Sequence, residues 1–270
     1  MSLGIVIKAP EGLVLATESR LTITAQPPDG TPIHVNFDNA TKLFAFDNPG
    51  RPNTTLPAIG VVTYGQAAIG LRTAQSFIPE FEAGLPEERL AVREFTQQLS
   101  DFFMQQWQTA MPATYSGPGM SFVVAGFDAG EPYGRVYLTE IPGKPDPIEH
   151  YGAFGEFGIT WGGQREIVDR LLQGFDSRLG EALNAATLQP ADRQKLQSVI
   201  NQIKMPIPLQ AMPLQDCVDL AIFFIRTTIS AQRLTLGLRG VGGPIDVATI
   251  TRQEGMRFIQ RKQIQGEAKP

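Results

Sequence analysis

Apolar positions run almost unbroken through residues 4–8 (Gly-Ile-Val-Ile-Lys) and 13–18 (Leu-Val-Leu-Ala-Thr-Glu), with Ala9-Pro10-Glu11-Gly12 between them. The pattern predicts a hairpin of buried strands that begins almost at the chain terminus. Residues 21–24 alternate as a half-buried strand does, a Pro/Gly-rich loop follows, and residues 33–37 resume the pairing. Residues 42–46 and 58–63 flank a turn-rich stretch at 47–53 and read as a second strand pair. Further strands are expected at 121–127, 134–140, 154–161, 245–250 and 256–260.

Helical spacing takes over in two blocks. Residues 66–77 are helix-compatible up to Pro79, and Pro86-Glu87-Glu88 suits a first helical turn. Ala91, Phe95, Leu99, Phe102, Phe103 and Trp107 then recur on one face, the core stripe of a long helix packed on a sheet. Two more helices are expected, from 164 to about 183 and from 214 to about 234, with a shorter polar helix at 190–204 between them. Strands, helices, strands, helices, strands is an order that suits an α/β (α+β) fold, a four-layer αββα sandwich of two stacked, mainly antiparallel sheets flanked by helices. The expected organisation is a single domain over residues 1–265 and a polar tail at 266–270.

Composition narrows the function classes. With 270 residues and 42% hydrophobic composition the chain can bury a large core. Its 23 basic and 27 acidic side chains nearly balance, and no Lys/Arg block suits a phosphate backbone, so nucleic acid is not an expected partner. The single cysteine, Cys217, cannot form an internal disulfide and sits in an apolar stretch that suits a small buried thiol, consistent with a reducing compartment. Lys8, Pro10 and Glu11 interrupt the early apolar run, so no secretory signal is expected, and residues 220–225 are too short to cross a bilayer. The expectation is a cytoplasmic protein with no membrane contact.

Several residues at the start carry chemistry. Ser2 stands just before the first strand, Gly12 in its turn, Glu18-Ser19-Arg20 at the end of the second, Lys42 at the head of a later strand, and Gly65 between Tyr64 and Gln66 before a helix. In these positions and spacings the first 75 or so residues resemble the start of a mature proteasome beta subunit, a member of the N-terminal nucleophile (Ntn) hydrolases. The resemblance implies the αββα sandwich and a protease or amidase whose catalytic residues are Ser2, Glu18, Lys42 and Gly65. Maturation is expected to need only removal of Met1, which leaves Ser2 as the terminal residue.

On that reading the α-amine of Ser2, which titrates near neutral pH, takes the proton of its own hydroxyl. Lys42 lowers the amine's pKa and stabilises negative charge, Glu18 holds Lys42, and the N–H of Gly65 donates to the oxyanion. The substrate is a peptide or other amide, no cofactor or metal is required, and the resemblance implies a homo-oligomer, a ring being one form. Acyl transfer to an amine in place of water makes a transpeptidase of the same machinery.

The resemblance also implies groups that this chain lacks. A serine expected at the nucleophile's amine falls on Gly162, and a later Asp…Ser-Gly-Gly stretch falls on residues 238–243, which hold neither aspartate nor serine. Gln66 and Ile69 stand where a glycine and an acid are expected. A catalytically inactive structural or assembly subunit is therefore the alternative, and Glu18, Arg20 and Lys42 read without the motif are ordinary surface charges at strand ends. Other chemistries find less support. His34 and His150 have no ligand-spaced partners, His150 reads as a solvent-facing loop residue, Gly-x-Ser-x-Gly is absent, and residues 240–243 read as a tight turn.

Overall fold

In the computed structural model, which describes residues 2–266 apart from 26–29, 31–32, 47–58, 89, 186–188 and 238, the opening hairpin is β1 (Leu3–Ala9) and β2 (Gly12–Glu18). The two are registered antiparallel from Gly4↔Thr17 to Ala9↔Gly12. Every residue of both is buried, which is why their sequences are nearly continuous apolar runs. There follow β3 (Leu21–Ala25), β4 (Ile33–Phe37), β5 (Leu43–Phe46), β6 (Ile59–Gly65), the short β7 (Ala68–Ile69) and β8 (Arg72–Thr73), then α1 (Ala74–Ala83) and α2 (Val92–Ala110). The second half runs β9 (Met120–Gly126), β10 (Arg135–Ile141), β11 (Lys144–His150), β12 (Gly158–Gly163), α3 (Glu166–Gln173), α4 (Ser177–Ala185), α5 (Pro190–Gln202), α6 (Leu214–Leu234), β13 (Ile245–Thr251) and β14 (Gly255–Gln260).

Two five-stranded antiparallel sheets result, in the orders β12-β1-β2-β13-β14 and β11-β10-β9-β6-β5. They stack face to face, and three buried clusters fill the three spaces between layers. Val6, Leu13, Leu15, Val62, Val123 and Ile250 meet between the sheets. Phe77, Phe81, Phe95, Leu99, Phe103 and Phe122 pack α1 and α2 onto the second sheet. Leu3, Ile5, Val14, Val168, Val218 and Phe224 pack α3 and α6 onto the first. The αββα sandwich expected from the sequence is the observed architecture, and alternation along β1 sends Ile5 and Val6 to opposite layers.

The elements depart from expectation in several places. Instead of a helix at 66–77, the chain makes the β7–β8 hairpin first, and α1 then runs through Pro79. Pro86 does not open a helix, because α2 begins at Val92 with the Glu94 carboxylate accepting from the Ala91 N–H. The helix expected over 164–183 is two, broken at Gly174. β12 starts at Gly158, so the strand expected from 154 is a turn in its first half. Among the described residues β3 and β4 pair only with each other, and Ile23, Ile33, Val35 and Phe37 are exposed, so this ribbon stands off both sheets.

β11, with the sequence KPDPIEH, was not expected as a strand at all. It is an edge strand bonded only to β10, where prolines without an N–H are tolerated. His150 is accordingly not a solvent-facing loop residue; it is half-buried with Nδ1 at 2.9 Å from the Thr160 hydroxyl. Met1, most of the loop after β3 and the turn at 47–53 lie outside the described residues.

Candidate active site

β1 is an interior strand, and Ser2 lies just before its first residue. Its carbonyl accepts from the Gln164 N–H at 2.7 Å, which closes β1 onto the end of β12. Gly163, at φ +91°, lets the chain come this close, since a Cβ there would lie 1.9 Å from the Ser2 oxygen. Ser2 is 4% exposed.

Glu18, at the end of β2, is fully buried, and its two carboxylate oxygens collect four donors. Oε1 accepts from the Lys42 ammonium and from the Leu3 N–H at 3.3 Å; Oε2 accepts from the N–H groups of Arg20 at 2.6 Å and Gly242 at 3.1 Å. Lys42 also donates to the Arg20 carbonyl. Both groups are therefore interior, and the surface-charge reading of Glu18 and Lys42 is wrong. Burial pushes the Glu18 carboxyl up from its ordinary range and the Lys42 ammonium down, and in each the attraction of the partner opposes the desolvation. Because the Leu3 N–H and the Lys42 ammonium share Oε1, the carboxylate fixes the lysine against the peptide that carries Ser2.

Arg20 completes the frame. Its guanidinium makes a two-point contact with Asp38 at 2.6 and 2.7 Å and donates to the Arg239 carbonyl at 3.1 Å. The Ser19 N–H bonds the Gly242 carbonyl at 3.1 Å, so the segment at 240–243, read from sequence as a tight turn, is part of the support for Glu18. Asp246 on β13 forms a second, partly buried ion pair with Lys262, whose charge adds to the pressure on Lys42.

Ser2, Lys42, Thr63, Tyr64, Gln66 and Ala74 line one cavity of about 260 Å³. Gly65 lies between two of them. The Thr63 N–H bonds the Lys42 carbonyl on the β5 side, and the Gln66 N–H bonds the Gly119 carbonyl on the β9 side. Ladder alternation therefore sends the Gly65 N–H to the β5 side, beyond the strand's first residue, Leu43. At φ +91°, with the Gly119 oxygen 2.4 Å from any Cβ, this position excludes a side chain.

Ser2 before β1, Glu18 at the end of β2 and Lys42 before β5 are thus brought together, and Gly65 ends β6 between two residues that line the cavity. In the comparisons, no family model and no curated protein matches the chain, but solved structures do. Anbu from Hyphomicrobium sp. strain MC1, as a Gly-1 mutant, superposes with TM-score 0.58 at 12% identity over 96% of this chain and 87% of that one. A second structure of that protein gives 0.56 at 13% over 95% and 87%. Anbu, described as ancestral beta-subunit, from Yersinia bercovieri gives 0.56 at 16% over 97% and 88%. These likenesses show the fold, an αββα sandwich of the kind found in Anbu and consistent with that of Ntn hydrolases. At such identities the Anbu match speaks for the fold alone, so the site rests on its own geometry.

The remaining candidates stay apart from this cavity. His34 is exposed on β4, and Cys217 is buried in α6, where burial pushes its thiol up to about 11. Among the described residues no three His, Cys, Asp or Glu side chains converge as a metal site, and no helix is long and apolar enough to cross a membrane. Sequence reasoning missed Tyr64, Asp38 and the Gly242 N–H. Arg20 alone had a signal, as the last residue of Glu-Ser-Arg.

Proposed function

We propose that the chain is a proteasome-like N-terminal nucleophile hydrolase that cleaves peptide or other amide bonds through an acyl-enzyme on Ser2, formed once Met1 has been removed. The observation that carries the reading is the buried Lys42–Glu18 pair, whose carboxylate also holds the Leu3 N–H and whose lysine lines one cavity with Ser2. A buried cation beside a terminal serine is costly to maintain and has a use there. It disfavours the ammonium form of the α-amine and stabilises charge on the attacking oxygen.

The α-amine takes the hydroxyl proton as Oγ attacks the carbonyl carbon, and the oxyanion forms against the Gly65 N–H. Collapse breaks the C–N bond, and the leaving amine takes the proton held by the Ser2 ammonium. Water, deprotonated by the same amine, then attacks the acyl carbon and frees Ser2. An amine acceptor in place of water gives the transpeptidase variant.

The test is the intact mass of the purified protein before and after an electrophile that acylates N-terminal nucleophiles. The expected result is loss of Met1, one adduct on Ser2, no adduct in Ser2→Ala, and labelling slowed about 10²-fold or more in Lys42→Met. Retained Met1 or an inert Ser2 would favour the second reading, a catalytically inactive subunit. That reading has its own observation, since residue 162 has no side chain to offer the amine.

A further inference from the structure

Two glycine-rich stretches support the nucleophile's end of the first sheet. Gly162-Gly163 leads into Gln164, whose backbone N–H donates to the Ser2 carbonyl at 2.7 Å, and Gly240-Val241-Gly242-Gly243 brings the Gly242 N–H to Glu18 at 3.1 Å. Glycine loses more backbone freedom on ordering than any other residue and has no side chain to pack, so such stretches are placed by the hydrogen bonds that reach them. One side chain bonds both. Gln232, in the last turn of α6, accepts from the Val241 N–H with Oε1 at 2.9 Å and donates from Nε2 to the Gln164 side-chain oxygen. The first of these bonds decides which way its amide points, because a backbone N–H can only donate. The buried stripe of α6 runs from Cys217 to Thr228, and Gln232 lies four residues further on the same face, so the helix is seated before Gln232 is reached.

We infer that Gln232 is a positioning residue for the nucleophile: its carboxamide ties the stretch that holds the Ser2 carbonyl to the stretch that holds Glu18, and through Glu18 to Lys42. The inference rests on the hydrolase reading above. The contacts close into a ring. The peptide between Ser2 and Leu3 is held by its carbonyl on the Gln164 N–H and by its N–H on Glu18 Oε1 at 3.3 Å. Gln164 bonds Gln232, Gln232 bonds Val241, and the next residue, Gly242, donates to the other oxygen of Glu18. Both holders of that one peptide are thus joined from behind by Gln232, and the Glu18 oxygen that takes the Leu3 N–H also takes the Lys42 ammonium. A nucleophile and the cation that assists it work only while their separation is kept to about 0.5 Å, which is the service of such a ring.

The experiment is labelling of Ser2 over a range of electrophile concentrations, read as a maximal rate constant and a half-saturation concentration. Gln232→Met keeps the length of the side chain and removes both bonds. Its maximal rate constant is expected to fall about five- to twentyfold with half-saturation unchanged, because the electrophile does not touch Gln232. Gln164→Met keeps the backbone bond to Ser2 and loses only the side-chain link. It should slow labelling by a smaller factor, and by nothing further when added to Gln232→Met, since that link is then already gone. Ile229→Ala is the control. It thins the packing of the same helix and should lower the melting temperature at least as far as Gln232→Met, yet label at the wild-type rate. A Gln232→Met that labels like Ile229→Ala, or single losses that multiply in the double variant, overturns the inference while the hydrolase reading stands. If Gln232→Met does not fold, Gln164→Met decides alone, and a wild-type rate in it overturns the inference. A wild-type Ser2 that takes no adduct overturns both.

Discussion

Lys42 and Glu18 pair in a place from which water is almost excluded, where burial disfavours the charge of each and the partner's attraction opposes it. Glu18 is fully buried and Lys42 is 5% exposed, so removing either charge alone leaves the other unpaired in the interior. Lys42→Met should therefore cost about 3–5 kcal/mol of stability by urea or thermal unfolding. Glu18→Gln/Lys42→Met removes both charges and should recover part of that loss, because no unpaired charge is then left among the three remaining backbone N–H donors. Additive single losses would mean that the two side chains do not act as a pair. The interior location was not legible at this scale, since a lysine and a glutamate at strand ends read as surface residues unless the spacing motif is taken with them.

Among the elements, α2 shows how directly the sequence can write a packing surface. Phe95, Leu99, Phe103 and Trp107 are all buried, the stripe the spacing predicts, and Phe103 stands 4.5 Å, centroid to centroid, from Phe122 on β9. Phe103→Ala should cost about 3–5 kcal/mol, measured by denaturant unfolding, because the surrounding rings of Phe77 and Phe102 cannot close the space. A loss below about 1 kcal/mol would show that α2 is held otherwise. β11 is the opposite case. Two prolines in seven residues argue against a strand, and only its place at the outer edge of the sheet, which no local pattern reports, makes them acceptable. The α3–α4 break had a visible signal in Gly174, but the apolar stripe on both sides of it read as continuous.

At the scale of the molecule, Arg20 ties together three stretches of chain far apart in sequence: its own strand end, Asp38 in the loop before Lys42, and Arg239 before the segment that supports Glu18. The Arg20 guanidinium holds the Asp38 carboxyl below its ordinary range. Unfolded, Asp38 titrates near about 3.9, so the folded form gains stability above that value. The gain is lost as pH falls through the depressed folded pKa. Wild type should thus be more stable than Asp38→Asn at neutral pH, by a small margin because Asp38 is 44% exposed, and the margin should shrink as pH is lowered past about 4. A margin that does not change with pH would mean that shape, and not charge, makes the clamp.

The sequence by itself determined the elements whose burial is local in origin: the opening hairpin, the β5–β6 pair, the stripe of α2 and the apolar runs of β9, β10 and β13. The resemblance to a proteasome beta subunit, carried by their spacing, also made Ser2, Glu18, Lys42 and Gly65 candidates. What only the tertiary structure decided is everything that passes between sheets or between distant loops. The covering of Gly4 and Gly162 by Tyr64, the donation from Gly242 to Glu18 and the Arg20–Asp38 clamp each join residues whose meeting depends on how two sheets stack. That stacking is fixed by the summed burial of three apolar layers, a property of the whole chain that no segment carries alone.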